Sequence, residues 1–94
     1  MPAKTFMLTY AYVPDMLERR GPYRDAHLEH LRQAKAKGLL ILAGAYADPV
    51  DGALLLCQAE QAVEIYIWLA NDPYNHAGLI RSATVREVNL AVQP

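Results

Sequence analysis

The sequence contains little cysteine and no excess of charge of either sign, and both shortages limit what the protein can be. Cys57 is the only cysteine among 94 residues, so no internal disulfide can form. Lysine and arginine together number 9 against 10 acidic residues, which excludes the positive field that nucleic-acid binding requires. No apolar run reaches the roughly 20 residues needed to cross a bilayer. We therefore expect no nucleic-acid partner and no membrane partner.

The single cysteine and the first residues of the chain indicate a cytoplasmic protein. Cys57 ends the apolar run 53–57, where a thiol behaves as a small hydrophobic side chain. Redox or nucleophilic chemistry would need an accessible, electropositive setting. The first seven residues lack the long apolar region and small-residue cleavage site of a signal peptide. We expect one domain over residues 1–94, located in the cytoplasm.

Strand and helix signals alternate along the chain. Pro22 is a suitable first helical residue, and Gly38 follows two lysines as a stop signal. The turn residues at 48–52 are typical of a hairpin connection. The predicted elements are a strand over 6–13, one turn over 15–20, a helix over 22–37, strands over 39–46 and 53–59, a helix over 60–70, a short turn over 72–78 and a strand over 80–92.

This β-α-β-β-α-β order predicts an α+β, ferredoxin-like fold, in which two helices cover one face of a four-stranded antiparallel sheet. Leu39–Ala43 and Ala53–Cys57 are apolar on both sides instead of alternating. An uncovered apolar face marks an interaction surface, and a second copy of the chain is the simplest cover. The sequence therefore predicts a homodimer that packs sheet to sheet.

The first long helix carries an apolar stripe that includes a histidine. Successive residues turn by about 100°, so Leu28, Leu31 and Ala34 share a face. His27 falls within this stripe, whereas His30 lies toward its edge. A core-facing imidazole must find partners or cost about 1–3 kcal/mol per unsatisfied group. The spacing alone leaves both a structural and a functional role open for His27.

Polar residues of the chain have two further possible roles. His27 and His30 could begin a metal site, with His76 or Asp48 as a third ligand. The H-x-x-H spacing without a closing ligand occurs by chance, and the two histidines face different directions, so we expect no metal. Asp72, which precedes a proline, is typical of a helix N-cap. The sequence has no phosphate-binding glycine loop, nucleophile elbow or paired-cysteine motif, and we expect no cofactor.

Three short motifs, in this order, resemble the YCII-related domain family. They are R-x-x-H-L at 24–28, Ala-Gly at 43–44 and Asp-Pro-Tyr at 72–74. The resemblance extends from the Tyr10 strand to the Val85 strand and implies a dimeric α+β barrel. It also implies a shared histidine and aspartate with a suggested enzymatic role, at His27 and Asp72. Because Ala45 replaces a common proline and the following hairpin is short, a relative's substrate is not transferred.

The stripe and the resemblance together predict general acid–base chemistry on a small organic molecule in a cleft of the dimer. His27 would transfer the proton and Asp72 would hold its ring or tautomer. Arg24 would attract a carboxylate, and Tyr46 or Tyr74 would supply a hydroxyl. The reaction would be that of a lyase, isomerase or hydrolase. The alternative is a non-catalytic module that binds a metabolite or stabilises a partner, with both ring nitrogens of His27 occupied by protein groups.

Overall fold

The computed structural model describes residues 3–93, which form four strands and four helices. The strands make one antiparallel sheet in the order β2-β3-β1-β4. This is the ferredoxin-like arrangement predicted from the sequence. In chain order the elements are β1 (Lys4–Tyr12), α1 (Met16–Arg19), α2 (Gly21–Ala36), β2 (Leu40–Ala45), β3 (Gly52–Ala59), α3 (Ala62–Ala70), α4 (Pro73–His76) and β4 (Ile80–Glu87).

Helix α2 begins and ends close to the predicted residues. Pro22 lies in its first turn, where the missing N–H costs nothing. Gly38 follows the helix with φ of 83°, a conformation that side chains other than glycine rarely adopt. The buried residues of α2 are His27 and Ala34, so the helix fixes His27 against the sheet. None of the helices within residues 3–93 is long and apolar enough to cross a membrane.

Strand β1 shows a strict two-residue alternation. Phe6, Leu8, Tyr10 and Tyr12 are buried, and the residues between them are only partly buried. Alternate side chains of a strand point to opposite faces, so these four lie on the face that α2 and α3 cover, where they join the hydrophobic core. Two tyrosine hydroxyls are thereby carried into the space between sheet and helices.

The opposite face of the sheet carries an apolar patch. The register places Met7 beside Leu56, and Leu56 beside Leu42. Leu54 lies two residues before Leu56 and therefore shares this face. Leu42 is 49% exposed. The second apolar side predicted for β2 and β3 is present, and we call these four residues the sheet patch.

The last strand is shorter than predicted. It ends at Glu87, whereas the predicted strand continued to residue 92. Glu87 pairs with Phe6 of β1, and the Val88 N–H donates to the Thr5 carbonyl at 2.8 Å. Because β1 begins at Lys4, the residues after Val88 have almost no neighbouring strand left to pair with. The other predicted boundaries differ from the observed ones by at most two residues.

Candidate functional site

His27 and Asp72 meet between helix α2 and the start of α4. The Nδ1 atom of His27 lies 2.8 Å from Oδ1 and 3.1 Å from Oδ2 of Asp72. The two residues are 6% and 0% exposed, respectively. They are 45 positions apart in the sequence and come together because α4 packs against α2. The structure thus brings together the histidine and the aspartate that the sequence singled out.

The Asp72 carboxylate accepts hydrogen bonds from three directions. The Tyr74 backbone N–H donates to Oδ1 at 2.9 Å, which is the N-cap bond of α4. The Tyr10 hydroxyl donates to Oδ2 at 2.9 Å. Because a carboxylate has no proton to donate, the Nδ1 atom of His27 is the donor in its bond to Asp72. One side chain therefore caps a helix and also fixes the tautomer of His27.

The other ring nitrogen of His27 is free. Within residues 3–93, Nε2 has no protein partner, although every fully buried side-chain nitrogen or oxygen there has one. Nε2 must therefore have some exposed surface. His27 lines a cavity of about 150 Å³, and little else of the residue is exposed. The Nε2 lone pair consequently faces the cavity.

This cavity lies between α2 and the helix-covered face of the sheet. Its polar lining consists of Tyr10, Tyr12, Arg20, Arg24, His27 and Tyr74. Small and aliphatic residues of α2, β2 and β3 form the rest of the wall. All of these groups belong to one chain. They surround the cavity in a single protomer, where α2 stands over the edge of the sheet beside β2. The contribution of a second protomer to this cleft stays a prediction.

The predicted substrate-binding residues divide into two groups. Arg24 and Tyr74 line the cavity, but Tyr46 is not part of its wall. Ala45 ends β2 on the cavity side, and the next side chain in an extended strand points to the opposite face. Tyr46 is 42% exposed and its backbone N–H donates to the Gly52 carbonyl at 2.9 Å. The arrangement therefore gives Tyr46 no contact with a molecule in the cavity.

Three residues of the site were not predicted, although two of them left a signal. The alternation of β1 already places Tyr10 and Tyr12 on the buried face, and a buried tyrosine hydroxyl usually needs a partner. Tyr10 finds its partner in Asp72. Arg20 lies four residues before Arg24, one helical turn away, but the predicted helix began after it. Its place at the N-terminus of α2 could not be read from the apolar stripe.

The remaining histidines lie elsewhere. The Nε2 atom of His30 is 3.0 Å from the Trp68 carbonyl, and the two rings stack with centroids 4.6 Å apart. His30 is more exposed than His27, as predicted. His76 and Asp48 are exposed and do not line the His27 cavity. No cluster of three or more His, Cys, Asp or Glu side chains placed to hold a metal occurs within the described range.

The tyrosines around the site are held in their protonated form. Burial raises the pKa of Tyr10 strongly, and the neighbouring Asp72 carboxylate raises it further. Burial also raises the pKa of Tyr12. For Tyr74, burial raises the pKa while the positive charge of Arg20 opposes the shift. The three phenols are therefore hydrogen-bond donors over the whole neutral pH range.

Known proteins resemble this chain in sequence or in structure. An uncharacterized protein of Haemophilus influenzae is 30% identical over 83 residues, which cover 79% of this chain and 85% of the relative. The structure is also similar to 5-chloro-2-hydroxyhydroquinone dehydrochlorinase of Burkholderia phenoliruptrix AC1100 in complex with 2,5-dihydroxybenzoquinone. That comparison has a TM-score of 0.80 and 25% identity, and covers 90% of this chain and 93% of the dehydrochlorinase.

A third comparison shows the fold alone. PA3566 of Pseudomonas aeruginosa has a TM-score of 0.62 at 9% identity, and the comparison covers 97% of each chain. These neighbours have the dimeric α+β barrel fold, the class predicted for this chain. Residues 5–89 match the YCII-related domain. The chain therefore belongs to the YCII-related domain family.

Proposed function

We propose that the protein is an enzyme in which His27 transfers a proton to or from a small organic molecule bound in the cavity. The observation that carries this proposal is the unequal environment of the two ring nitrogens. Asp72 occupies Nδ1 at 2.8 Å, whereas Nε2 is free and faces the cavity. A bare imidazole nitrogen can accept a proton and release it again, which is what general acid–base catalysis requires.

Asp72 has the role of a positioning residue. It keeps the Nδ1 proton in place, so that the lone pair at Nε2 is available as the base. When Nε2 takes up a proton, the ring becomes positively charged, and the adjacent carboxylate stabilises that charge. Tyr10 and the Tyr74 N–H hold the carboxylate still. In an isomerisation, the proton returns to another atom of the same molecule. In an elimination, the electrons of the broken C–H bond form a double bond, the leaving group departs with its bonding electrons, and Nε2 passes the proton to that group or to solvent. In a hydrolysis, Nε2 takes the proton from an attacking water molecule and gives it to the leaving group.

The similar dehydrochlorinase favours the first of these reaction classes. Its name describes the loss of hydrogen and chlorine from 5-chloro-2-hydroxyhydroquinone, and an elimination of this kind needs a base to take the proton. The resemblance supports a lyase-type reaction on a small ring compound. Our proposal does not extend to the same substrate, because the hairpin after β2 is short in this chain.

Of the non-catalytic alternatives, a purely structural role for His27 is less well supported than metabolite binding. A purely structural histidine would have protein partners at both ring nitrogens, because each buried polar group without one carries a cost of about 1–3 kcal/mol. In residues 3–93, only one nitrogen of His27 has such a partner. A role in binding a metabolite without reaction would also leave Nε2 free, and only a turnover measurement separates it from catalysis.

We propose from the sequence that the protein is cytoplasmic.

We also infer that two copies of the chain associate through the sheet patch. Met7, Leu42, Leu54 and Leu56 are contiguous on a face that the protein's own long helices do not cover. Burial of an aliphatic side chain contributes on the order of 1.5–3 kcal/mol. Identical faces pair most simply by two-fold symmetry. The cavity opens on the other side of the sheet.

The proposal can be tested by proton exchange and turnover. The purified protein would be incubated in D₂O with a panel of small enols, hydroxylated rings and chlorinated hydroquinones, and the loss of C–H signals followed by ¹H NMR. We expect exchange or conversion of at least one compound by the wild type, and its loss in His27→Asn. Asparagine keeps a donor for Asp72 but has no group that takes up a proton near neutral pH.

His30→Asn is the matched control, since it changes the same residue type on the same helix outside the cavity. It should keep the activity of the wild type. Equal turnover by His27→Asn and the wild type, with both proteins folded, would refute the acid–base role of His27.

A further inference from the structure

We propose that the molecule bound in the cavity is a small organic anion of about the size of a substituted six-membered ring, and that Arg20 and Arg24 hold its charged oxygens. This inference rests on the proposed function, because it concerns the substrate on which His27 acts. It assigns a role to Arg20 for which nothing in the sequence pattern provides a reason. Three independent features of the cavity support it.

The first feature is unpaired positive charge. Arg19 and Arg32 each contact a carboxylate, Asp15 and Glu29 respectively, at 3.4 Å. Arg20 and Arg24 line the cavity, and within residues 3–93 neither forms an ion pair. The Asp72 carboxylate, which binds His27 and Tyr10 of the cavity wall, already accepts three donors. An anion in the cavity would thus meet two guanidinium groups without competition.

The second feature is a pair of free hydroxyl groups. Tyr12 and Tyr74 are 5% and 3% exposed, yet in the described part of the chain neither hydroxyl has a protein partner. Every fully buried side-chain nitrogen or oxygen in residues 3–93 has a hydrogen-bond partner, so these two hydroxyl groups must be partly exposed. Both tyrosines line the cavity, which is the open space beside them. With the raised pKa of each phenol, they present O–H donors. The polar wall therefore offers donors to a ligand, and Nε2 of His27 is the basic atom among them.

The third feature is the size of the cavity and its apolar wall. A volume of about 150 Å³ is comparable to a cavity that accepts benzene. Ala43, Gly44 and Ala45 of β2 leave this space open because their side chains are small. Leu28 and Leu55 add aliphatic surface. A flat ring fits between this wall and the donors, with a carboxylate or a phenolate oxygen toward the arginines and a ring atom toward His27.

Binding of anionic and neutral probes tests this assignment. Benzoate and 4-nitrophenolate represent the two oxyanion types, and benzamide is a neutral analogue of nearly the same shape. Titrations followed by ¹H–¹⁵N NMR should show both anions perturbing His27 and Tyr74, and benzamide binding at least tenfold more weakly. Arg20→Gln and Arg24→Gln should each weaken anion binding by roughly tenfold or more, the effect expected for a lost charge-assisted hydrogen bond. A preference for benzoate over 4-nitrophenolate, or the reverse, identifies the oxyanion type.

Arg32→Gln is the matched control, because it removes the same charge from the same helix outside the cavity. It should leave anion binding unchanged. Benzamide binding as tightly as both anions, or unchanged anion binding in Arg20→Gln and Arg24→Gln, would overturn the inference.

The His27→Asn variant separates this inference from the proposed function. It should still bind the anions, because the arginines and the tyrosine hydroxyls remain. Anion binding together with unchanged turnover in His27→Asn would refute the acid–base role and leave the substrate class standing. Loss of turnover in His27→Asn, together with equal binding of benzamide and the two anions, would refute the anionic substrate class and leave the acid–base role of His27 standing.

Discussion

The imidazole of His27 lies parallel to the ring of Tyr74, with centroids 3.7 Å apart and planes 6° from parallel. Two residues before Tyr74, Asp72 binds the Nδ1 atom of the same imidazole. The short segment 72–74 therefore contacts the His27 ring twice, with Asp72 bound to its edge at Nδ1 and Tyr74 stacked on its face. Pro73 between them has a fixed φ and begins α4. The ring has little freedom to rotate away from the cavity.

Two replacements of Tyr74 should distinguish the effect of its stacked ring on His27 from the effect of its hydroxyl group. Tyr74→Phe keeps the stacked ring and should leave the free energy of unfolding nearly unchanged. Tyr74→Leu removes the aromatic pair, which contributes about 0.5–1.5 kcal/mol beyond its buried area, and should also lower turnover by loosening His27. Chemical denaturation and ¹³C relaxation of the His27 ring measure the two effects. Equal behaviour of the two variants would show that the stack does not position His27.

Replacement of Asp72 by asparagine should destabilise the protein and abolish most of its activity. Three donors converge on the two carboxylate oxygens, whereas an amide has only one oxygen. At least one donor then faces an NH₂ group, at a cost of about 1–3 kcal/mol. Loss of the correct histidine tautomer should reduce turnover by on the order of 10²–10⁴-fold. Denaturant unfolding and turnover measured on Asp72→Asn would contradict this account if both matched the wild type.

The stability of the protein should decline in alkaline solution. Burial raises the pKa of Cys57 from 9.0 to about 11, and burial with the nearby Asp72 raises that of Tyr10 above its ordinary value of 10.0. The folded state thus keeps these protons at a pH where the unfolded chain releases them. Stability is complete below about pH 9 and falls as the pH rises, by up to about 1.4 kcal/mol per pH unit for each group.

Denaturant unfolding between about pH 8 and 11 measures this decline, in the range set by those groups. Cys57→Ala should unfold more easily than the wild type at pH 8, because the side chain is fully buried, and the difference should shrink as the pH rises. A wild-type stability that stayed level across this range would contradict the buried, protonated state of both residues.

The residue patterns were sufficient for the order of elements, and the resemblance to the YCII-related domain family implied the pairing of His27 with Asp72, but the rest of the site depends on tertiary packing. The helical stripe placed His27 toward the core, and the Asp-Pro pair placed Asp72 at a helix start. That Tyr10 would donate to the same carboxylate depends on the register between strands and helices, which no local pattern encodes. Tyr46 was predicted to supply a hydroxyl group to the cleft, yet it lies one residue out of phase with Ala45.

The dimer prediction can be tested on the sheet patch. Leu42 is half exposed there, so Leu42→Glu should leave the fold intact and convert the dimer to a monomer. Val63→Glu is the control, since Val63 is equally exposed on α3, away from this face of the sheet. Leu55 points into the core, and Leu55→Glu should prevent folding. Sedimentation of the wild type as a stable monomer at micromolar concentration would refute the dimer.

The protonation of His27 tests most directly whether the protein presents a free base to its cavity. In ¹⁵N NMR spectra of ring-labelled protein, each neutral tautomer has distinct shifts for its protonated and its bare nitrogen. At a pH where the ring is neutral, we expect the proton on Nδ1, facing Asp72, and a bare Nε2. In Asp72→Asn this preference should weaken or reverse. A proton held on Nε2 in the wild type would contradict the arrangement and, with it, the role of His27 as a base.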